Sequence, residues 1–315
     1  MKEIQITTNT KNQRLDKFLG KYLNDAPKSF IYKMLRKKNI KLNGKKAIGS
    51  EILCENDVVH IYMADETLDN FRSVKSVDHL AREINIVYED ANILIVNKPR
   101  GILTQPDSTN PQDTLLGRVL SYLHKNGEYD ISKESVFTPS FCNRLDRNTT
   151  GIVVFGKNLN ALQQLNKAMS SGESEKCYNA IVVGEVKSGG VLKGLHTKDE
   201  KTNKATIAEE GNKEVVTEYE PLAAQKGYSL LKLKLITGRS HQIRAHLSGI
   251  GHPILGDRKY GDKTANAPKF QLLHSASIRF STLADELEYL NGKLFVADAP
   301  DDFKHYENKL FGEPR

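Results

Sequence analysis

The chain has 315 residues, 38% hydrophobic and 27% charged, which is the balance of a folded globular protein and not of a disordered one. The length suits two domains or one large one, no apolar run approaches the ~18 residues of a spanning helix, and the start MKEIQITTNT lacks the apolar stretch of a signal peptide. The 46 basic residues outnumber the 39 acidic ones for a net +7, and three scattered cysteines (Cys54, Cys142, Cys177) argue against a disulfide framework or thiolate metal site and for a reducing compartment, the cytoplasm.

Almost all of the charge excess lies at the start. Residues 1–65 hold 13 Lys/Arg and 7 Asp/Glu. The stretch 28–46 alone carries eight basic residues (Lys28, Lys33, Arg36, Lys37, Lys38, Lys41, Lys45 and Lys46) and no acidic one. Such a stretch is either a solvated face or a polyanion-binding module, and the clustering favours the second. It is folded. Leu15, Phe18, Leu19, Tyr22 and Leu23 repeat at helical spacing, as do Ile31, Met34 and Leu35. Asn43-Gly44 signals a hairpin turn, and Val58–Tyr62 reads as a strand. Residues 64–82 lack apolar periodicity. The expected division is therefore a first domain over 1–65, a linker over 66–82 and a second domain over 83–310.

From Ile84 the segment INIVYEDANILIVNKP predicts two strands around an Asp-Ala-Asn turn. Leu115, Leu116, Val119, Leu120 and Leu123 predict a helix over 114–124, and Ile152–Phe155 a buried strand. Leu162, Leu165 and Met169 mark a further helix, and strands are expected over 176–183 and 229–236. Strands outnumber helices and do not alternate strictly with them, so the expected class is α+β and not a doubly wound α/β sheet.

Two local patterns imitate known sites. Gly151-Ile-Val-Val-Phe-Gly156-Lys157-Asn158 is one residue short of a phosphate loop, has four apolar residues where such a loop exposes amides, and carries Asn158 in place of the magnesium-holding Ser/Thr. His241, His246 and His252 are spaced five and six apart, whereas zinc-binding helices space them four apart, so no metal site is expected. Arg-Leu-Asp occurs twice. Arg14-Leu15-Asp16 opens an amphipathic helix, where Asp16 suits the positive end of the dipole. Arg144-Leu145-Asp146 precedes Arg147-Asn148-Thr149-Thr150-Gly151 and the buried strand. A carboxylate flanked by guanidiniums there is either a surface ion pair or an ionised, oriented nucleophile or charge stabiliser.

RLDRNTTG (144–151) resembles the HRLDxxTSG signature of RluA-type RNA pseudouridine synthases, with Asn143 standing for the usual His and Thr150 for the usual Ser. Further segments resemble the family in order: VNKPRG (96–101), KCYNAIVVG (176–184), TGRSHQIRAHLSGIGHPILGDRKYG (237–261), LHSASIRF (273–280, with Ser275 where Ala is usual) and APDDF (299–303). Residues 14–62, with RLDKFL, KLNG and DVVHI, resemble the small S-four-type RNA-binding domain. The resemblance implies a catalytic domain with a mostly antiparallel sheet flanked by helices. It makes Asp146 the catalytic aspartate, Tyr178 the active-site tyrosine and Arg244 the active-site arginine. RNA contacts are expected from Arg36, Lys37, Lys38, Lys41, Lys98, Arg144, Arg239 and His241. The implied partner is RNA, foremost large-subunit ribosomal RNA, with no cofactor, no metal and no membrane, and with the protein acting as a monomer.

The residue types suit that chemistry. Moving ribose from uracil N1 to C5 changes no oxidation state, and water must be kept out or hydrolysis results. Glycoside hydrolysis uses two carboxylates. Here the detached uracil is itself the next nucleophile, so one carboxylate, Asp146, can suffice. Tyr178 on a strand can stack on the freed ring and move a proton. Arg244 lies three residues after His241, on one helix face with it, and Ser240 is the expected N-cap of that helix. Two rivals are a non-catalytic RNA-binding factor and a hydrolase of an RNA or nucleotide glycosidic bond.

Overall fold

The computed structural model describes residues 1–7, 10–71, 83–106, 113–129, 137–199, 204–208, 213–265 and 267–312, with Thr202 and Gly211. Its first unit is a four-stranded antiparallel sheet of β1 (Lys2–Gln5), β2 (Ile40–Leu42), β3 (Lys45–Lys46) and β4 (Val58–Ile61), in the order β1-β4-β2-β3. Helices α1 (Leu15–Tyr22) and α2 (Lys28–Arg36) share a core with it. The apolar residues spaced for helices, Leu15, Phe18, Leu19, Ile31 and Leu35, are the ones buried there. Asn43 and Gly44 take positive φ (51° and 74°), as a two-residue hairpin turn requires. The core runs past the boundary expected at 65. Leu68 of α3 (Asp65–Asp69) is buried in it, and the Phe71 ring lies 4.5 Å from that of Phe30. The rest of the expected linker, 72–82, falls outside the described residues.

The second sheet contains β5 (Ile86–Glu89), β6 (Ile93–Lys98), β7 (Ser140–Phe141), β8 (Thr150–Gly156), β9 (Ser174–Val183), β10 (Gly190–Asp199), β11 (Lys204–Ala208), β12 (Lys213–Gln225), β13 (Tyr228–Leu235), β14 (Leu273–Phe280) and β15 (Leu294–Val296). The order is β11-β10-β12-β13-β9-β14-β8-β6-β5, with β7 beside β8 and β15 beside β14. Among the described strands only β8 and β14 run parallel, so the class is α+β with a mostly antiparallel sheet.

Strand β8, which imitates a phosphate loop in sequence, is buried along its whole length. Val153 and Phe155 join the core under α4 (Leu115–Lys125) and α6 (Gln242–Gly249). Ile152 and Val154 join the core under α5 (Leu159–Ser171). Truncating Phe155 to Ala in such a place costs about 3–5 kcal/mol. Asn158 does helical work: its side chain accepts from the Ala161 amide at 2.8 Å and caps α5. Helix α7 (Asp301–Phe311) buries Phe303 and Leu310 against Ile181, Leu230 and Leu272. Among the described residues no helix is long and apolar enough to cross a membrane. The three cysteines are free, Cys54 exposed and Cys177 buried.

Candidate active site

Asp146 lies on the irregular stretch between β7 and β8, and that stretch is held by its backbone. The Asn143 amide bridges the Ile152 carbonyl (3.0 Å) and the Val154 amide (2.9 Å), acting as a strand partner would. The Thr104 hydroxyl donates to the Leu145 carbonyl at 3.0 Å. Lys98 Nζ and the Gly101 amide both donate to the Arg147 carbonyl, each at 2.9 Å. Arg100 donates to the carbonyl of Asn148 and pairs with Asp302 of α7, again at 2.9 Å each. The segment leaving β6 is thus a template on which the Asp146 loop is laid.

Lys98 therefore departs from the expected role as an RNA contact. It is completely buried and its ammonium is satisfied by the Pro99 and Arg147 carbonyls. Burial lowers its pKa to about 7, with the Asp146 charge opposing and Arg100 adding.

The sheet then brings distant residues to the loop. Where β8 begins, Gly151 pairs with Ser275 of β14, and Ser275 pairs on its other side with Tyr178 of β9. Gly151 is required there: φ is 108°, and a Cβ would sit 2.2 Å from the Ser275 carbonyl oxygen. Tyr178 is buried beside Leu233 of β13. Burial pushes its hydroxyl up to about 12, with a Ser275 hydrogen bond opposing and the Asp146 charge adding.

Chain leaving β13 turns into α6. Gln242 folds back to accept from the Thr237 hydroxyl (2.9 Å) and the Arg239 amide (3.1 Å), and donates to the Val216 carbonyl and the Thr217 hydroxyl. That turn forces His241 into the left-handed region (φ 56°), so His241 and not Ser240 is the N-cap, without a side-chain cap bond. A non-glycine there is uncommon and marks a constrained site. The turn delivers His241 and Arg244 together to Asp146. Arg244 NH1 meets Asp146 Oδ2 at 2.8 Å, and His241 Nε2 lies 3.7 Å from Oδ1. The Ala205 amide donates to the Tyr260 hydroxyl oxygen at 2.7 Å, and that hydroxyl lies in hydrogen-bond contact with His241 Nδ1 at 2.9 Å. The Tyr260 hydroxyl thereby holds the His241 ring with its Nε2 facing Asp146.

The flanking Arg144 and Arg147 are exposed, and Arg244 supplies the guanidinium that the sequence assigned to them. Arg239 is likewise exposed. Burial works against the Arg244 charge, but Asp257 and then Asp146 raise its pKa above an already high ordinary value. Asp257 and Tyr260 had no assigned role in the sequence, because a separation of 13 residues across a turn leaves no periodic signal. Arg36, Lys37 and Lys38 are exposed at the end of α2, and Lys41 sits 5.1 Å from the Tyr62 ring. Among the described residues no group of three or more His, Cys, Asp or Glu could hold a metal ion. His246 turns to Thr217 and His252 to the Val183 carbonyl.

Strand β14 lies between β8, which follows the arginine-held aspartate, and β9, which carries the buried tyrosine, and residues 92–249, half of the chain, match the RNA pseudouridylate synthase family. The chain belongs to that family. An uncharacterized RNA pseudouridine synthase of Mycoplasma capricolum is 34% identical over 310 residues, 96% of this chain and 98% of its own length. Ribosomal large subunit pseudouridine synthase D of Borreliella burgdorferi is 31% identical over 77% of this chain and 74% of its own. The solved human RNA pseudouridylate synthase domain containing 4 superposes with a TM-score of 0.55 at 24% identity, covers 73% of this chain and 95% of its own, and has the same fold. The protein is an isomerase, an RNA pseudouridine synthase.

Proposed function

We propose that the synthase isomerises uridines of large-subunit ribosomal RNA, with Asp146 as its acting carboxylate. The observation that carries the residue assignment is the 2.8 Å contact from Arg244 to Asp146 Oδ2, which holds the carboxylate by one oxygen and leaves Oδ1 with only the longer 3.7 Å approach of His241 Nε2. Two relatives carrying the name ribosomal large subunit pseudouridine synthase D, from Borreliella burgdorferi and Yersinia pestis, support the choice of RNA.

The reaction breaks the ribose bond to uracil N1, forms the bond to C5, removes the hydrogen of C5 and returns one to N1. Asp146, about a quarter exposed, serves as nucleophile or as stabiliser of the positive charge that develops on the sugar. Tyr178, buried on β9 beside Leu233 of β13, holds the freed ring, and exclusion of water there prevents loss of free uracil. The target base leaves its stack to reach them. The 1–71 unit, of S-four type in this reading, grips the RNA backbone through the exposed Lys28, Lys33, Arg36, Lys37 and Lys38. The protein acts as a monomer in the cytoplasm, in keeping with three free cysteines.

Pseudouridine mapping of total RNA, with the gene present and deleted, tests the substrate. A site lost from large-subunit ribosomal RNA is expected, and loss confined to transfer RNA would refute the choice. Free uracil released by the purified enzyme in place of pseudouridine would mark a hydrolase.

A further inference from the structure

Arg244 touches two carboxylates, and it divides its hydrogens unequally between them. Nε and NH2, the edge of the guanidinium that matches a carboxylate, both go to Asp257, at 2.6 and 2.8 Å. Asp146 receives NH1 alone. Asp257 is only 1% exposed and stands on a rigid turn. The Tyr260 amide donates to its carbonyl at 3.1 Å and to its Oδ1 at 3.3 Å. The preceding Gly256 has φ 86° and a position where a Cβ would lie 2.1 Å from the Phe270 carbonyl oxygen. The Tyr260 ring covers the guanidinium with its centroid 4.8 Å away. Arg244 is thus fixed at one edge and on one face before it meets Asp146.

An arginine without that partner would take Asp146 in a two-point grip and occupy both of its oxygens. The structure assigns Asp257 as a positioning residue for the reaction: by filling the Nε/NH2 edge of Arg244 it limits the arginine's contact with Asp146 to Oδ2 and leaves Oδ1, which His241 Nε2 approaches only to 3.7 Å, for the substrate. The inference rests on Asp146 being the acting carboxylate. Asp257 touches no substrate and acts through Arg244 alone.

The test is a double-mutant cycle on the full-length enzyme, read as single-turnover rate at saturating RNA and as RNA affinity. Asp257→Asn should slow the rate by about 100-fold, the scale of a misplaced reacting group. RNA affinity should stay within about two-fold, which separates a displaced Arg244 from weakened binding. In the Arg244→Lys background, where no fork remains for Asp257 to fill, the same change should cost less than about three-fold. An unchanged rate overturns the inference. So does an equal loss in both backgrounds, or a loss that falls on affinity. Where melting shows that Asp257→Asn does not fold, Asp257→Glu replaces it: it keeps the charge but displaces the guanidinium, and a full rate there also overturns the inference. The underlying reading fails separately, through an active Asp146→Asn.

Discussion

At residues 14–16 the arginine of an Arg-Leu-Asp triplet pairs with its own aspartate. Arg14 Nε and NH2 reach the two oxygens of Asp16 at 3.0 and 2.9 Å, and the Tyr32 hydroxyl adds a bond of 2.7 Å. At residues 144–146 the same triplet is open. Arg144 is exposed, and Asp146 takes its guanidinium from Arg244, 98 positions away in sequence. The backbone makes the difference. Arg14 is the extended N-cap of α1 and Asp16 is in its first turn, which folds the two side chains together. The second triplet runs through an irregular stretch whose carbonyls are fixed by Thr104, Lys98 and Arg100, so each side chain points where the loop directs it. A carboxylate closed by its neighbour is structural. A carboxylate that a distant arginine holds through one oxygen fits the acting role proposed for Asp146.

The comparison breaks most sharply under paired substitution. Asp146→Asn should cost more than about 100-fold in single-turnover rate, since it removes the charge while keeping shape. Melting temperature and RNA affinity should hold. Asp16→Asn, the same change in the same triplet, should leave the rate nearly intact. Retention of activity in the first variant, or death of the second, would reverse the two assignments.

Much of this was legible in the sequence wherever one periodicity dominated. Helices α1, α2, α4 and α5 and strands β6, β8, β9 and β13 all carry clean apolar spacing, and each lies within a few residues of its expected place. Strands β10, β11 and β12 were missed. Segments such as GLHTKD in β10 and KATIA in β11 interleave polar and charged residues and lie at one end of the sheet, where one face meets water and the apolar signal is diluted. Lys98 misled because its burial is balanced by two backbone carbonyls instead of an acid, a pairing that leaves no mark in the sequence. By spacing alone Asp146 could equally have been a surface ion pair; the candidate site was legible only through the family resemblance of the ordered segments carrying Asp146, Tyr178 and Arg244. The tie from Arg244 to Asp257 was not, because it depends on how the turn after α6 folds back.

A change in the first unit alone sharpens the contrast between binding and chemistry. Replacing Arg36, Lys37 and Lys38 with Ala should weaken RNA binding and lower the slope of log affinity against log salt by about 2, given roughly 0.7–0.9 for each phosphate that a cation neutralises. The rate at saturating RNA should not move, because none of the three belongs to the Asp146 cluster. A collapse of that rate with affinity intact would show that the two regions are not separable in function.

The smallest expected effect is a pH signature of the closed pair. Hydrogen bonds from Arg14 hold the Asp16 carboxyl at about 2, below its ordinary 3.8, with burial opposing and Tyr32 assisting. A carboxyl whose pKa is lowered in the folded state binds fewer protons there than in the unfolded chain, so its contribution is complete above about 4 and is lost as pH falls toward 2. Asp16→Asn should therefore lower stability by about 1 kcal/mol at pH 7, at the upper end for an exposed ion pair because a tyrosine bond goes with it. The gap between the two urea midpoints should be constant from pH 7 to 5 and narrow between pH 4 and 3. A gap that stays constant down to pH 3 would mean that the Asp16 charge contributes nothing and that hydrogen bonding alone, which Asn can partly replace, closes the first triplet.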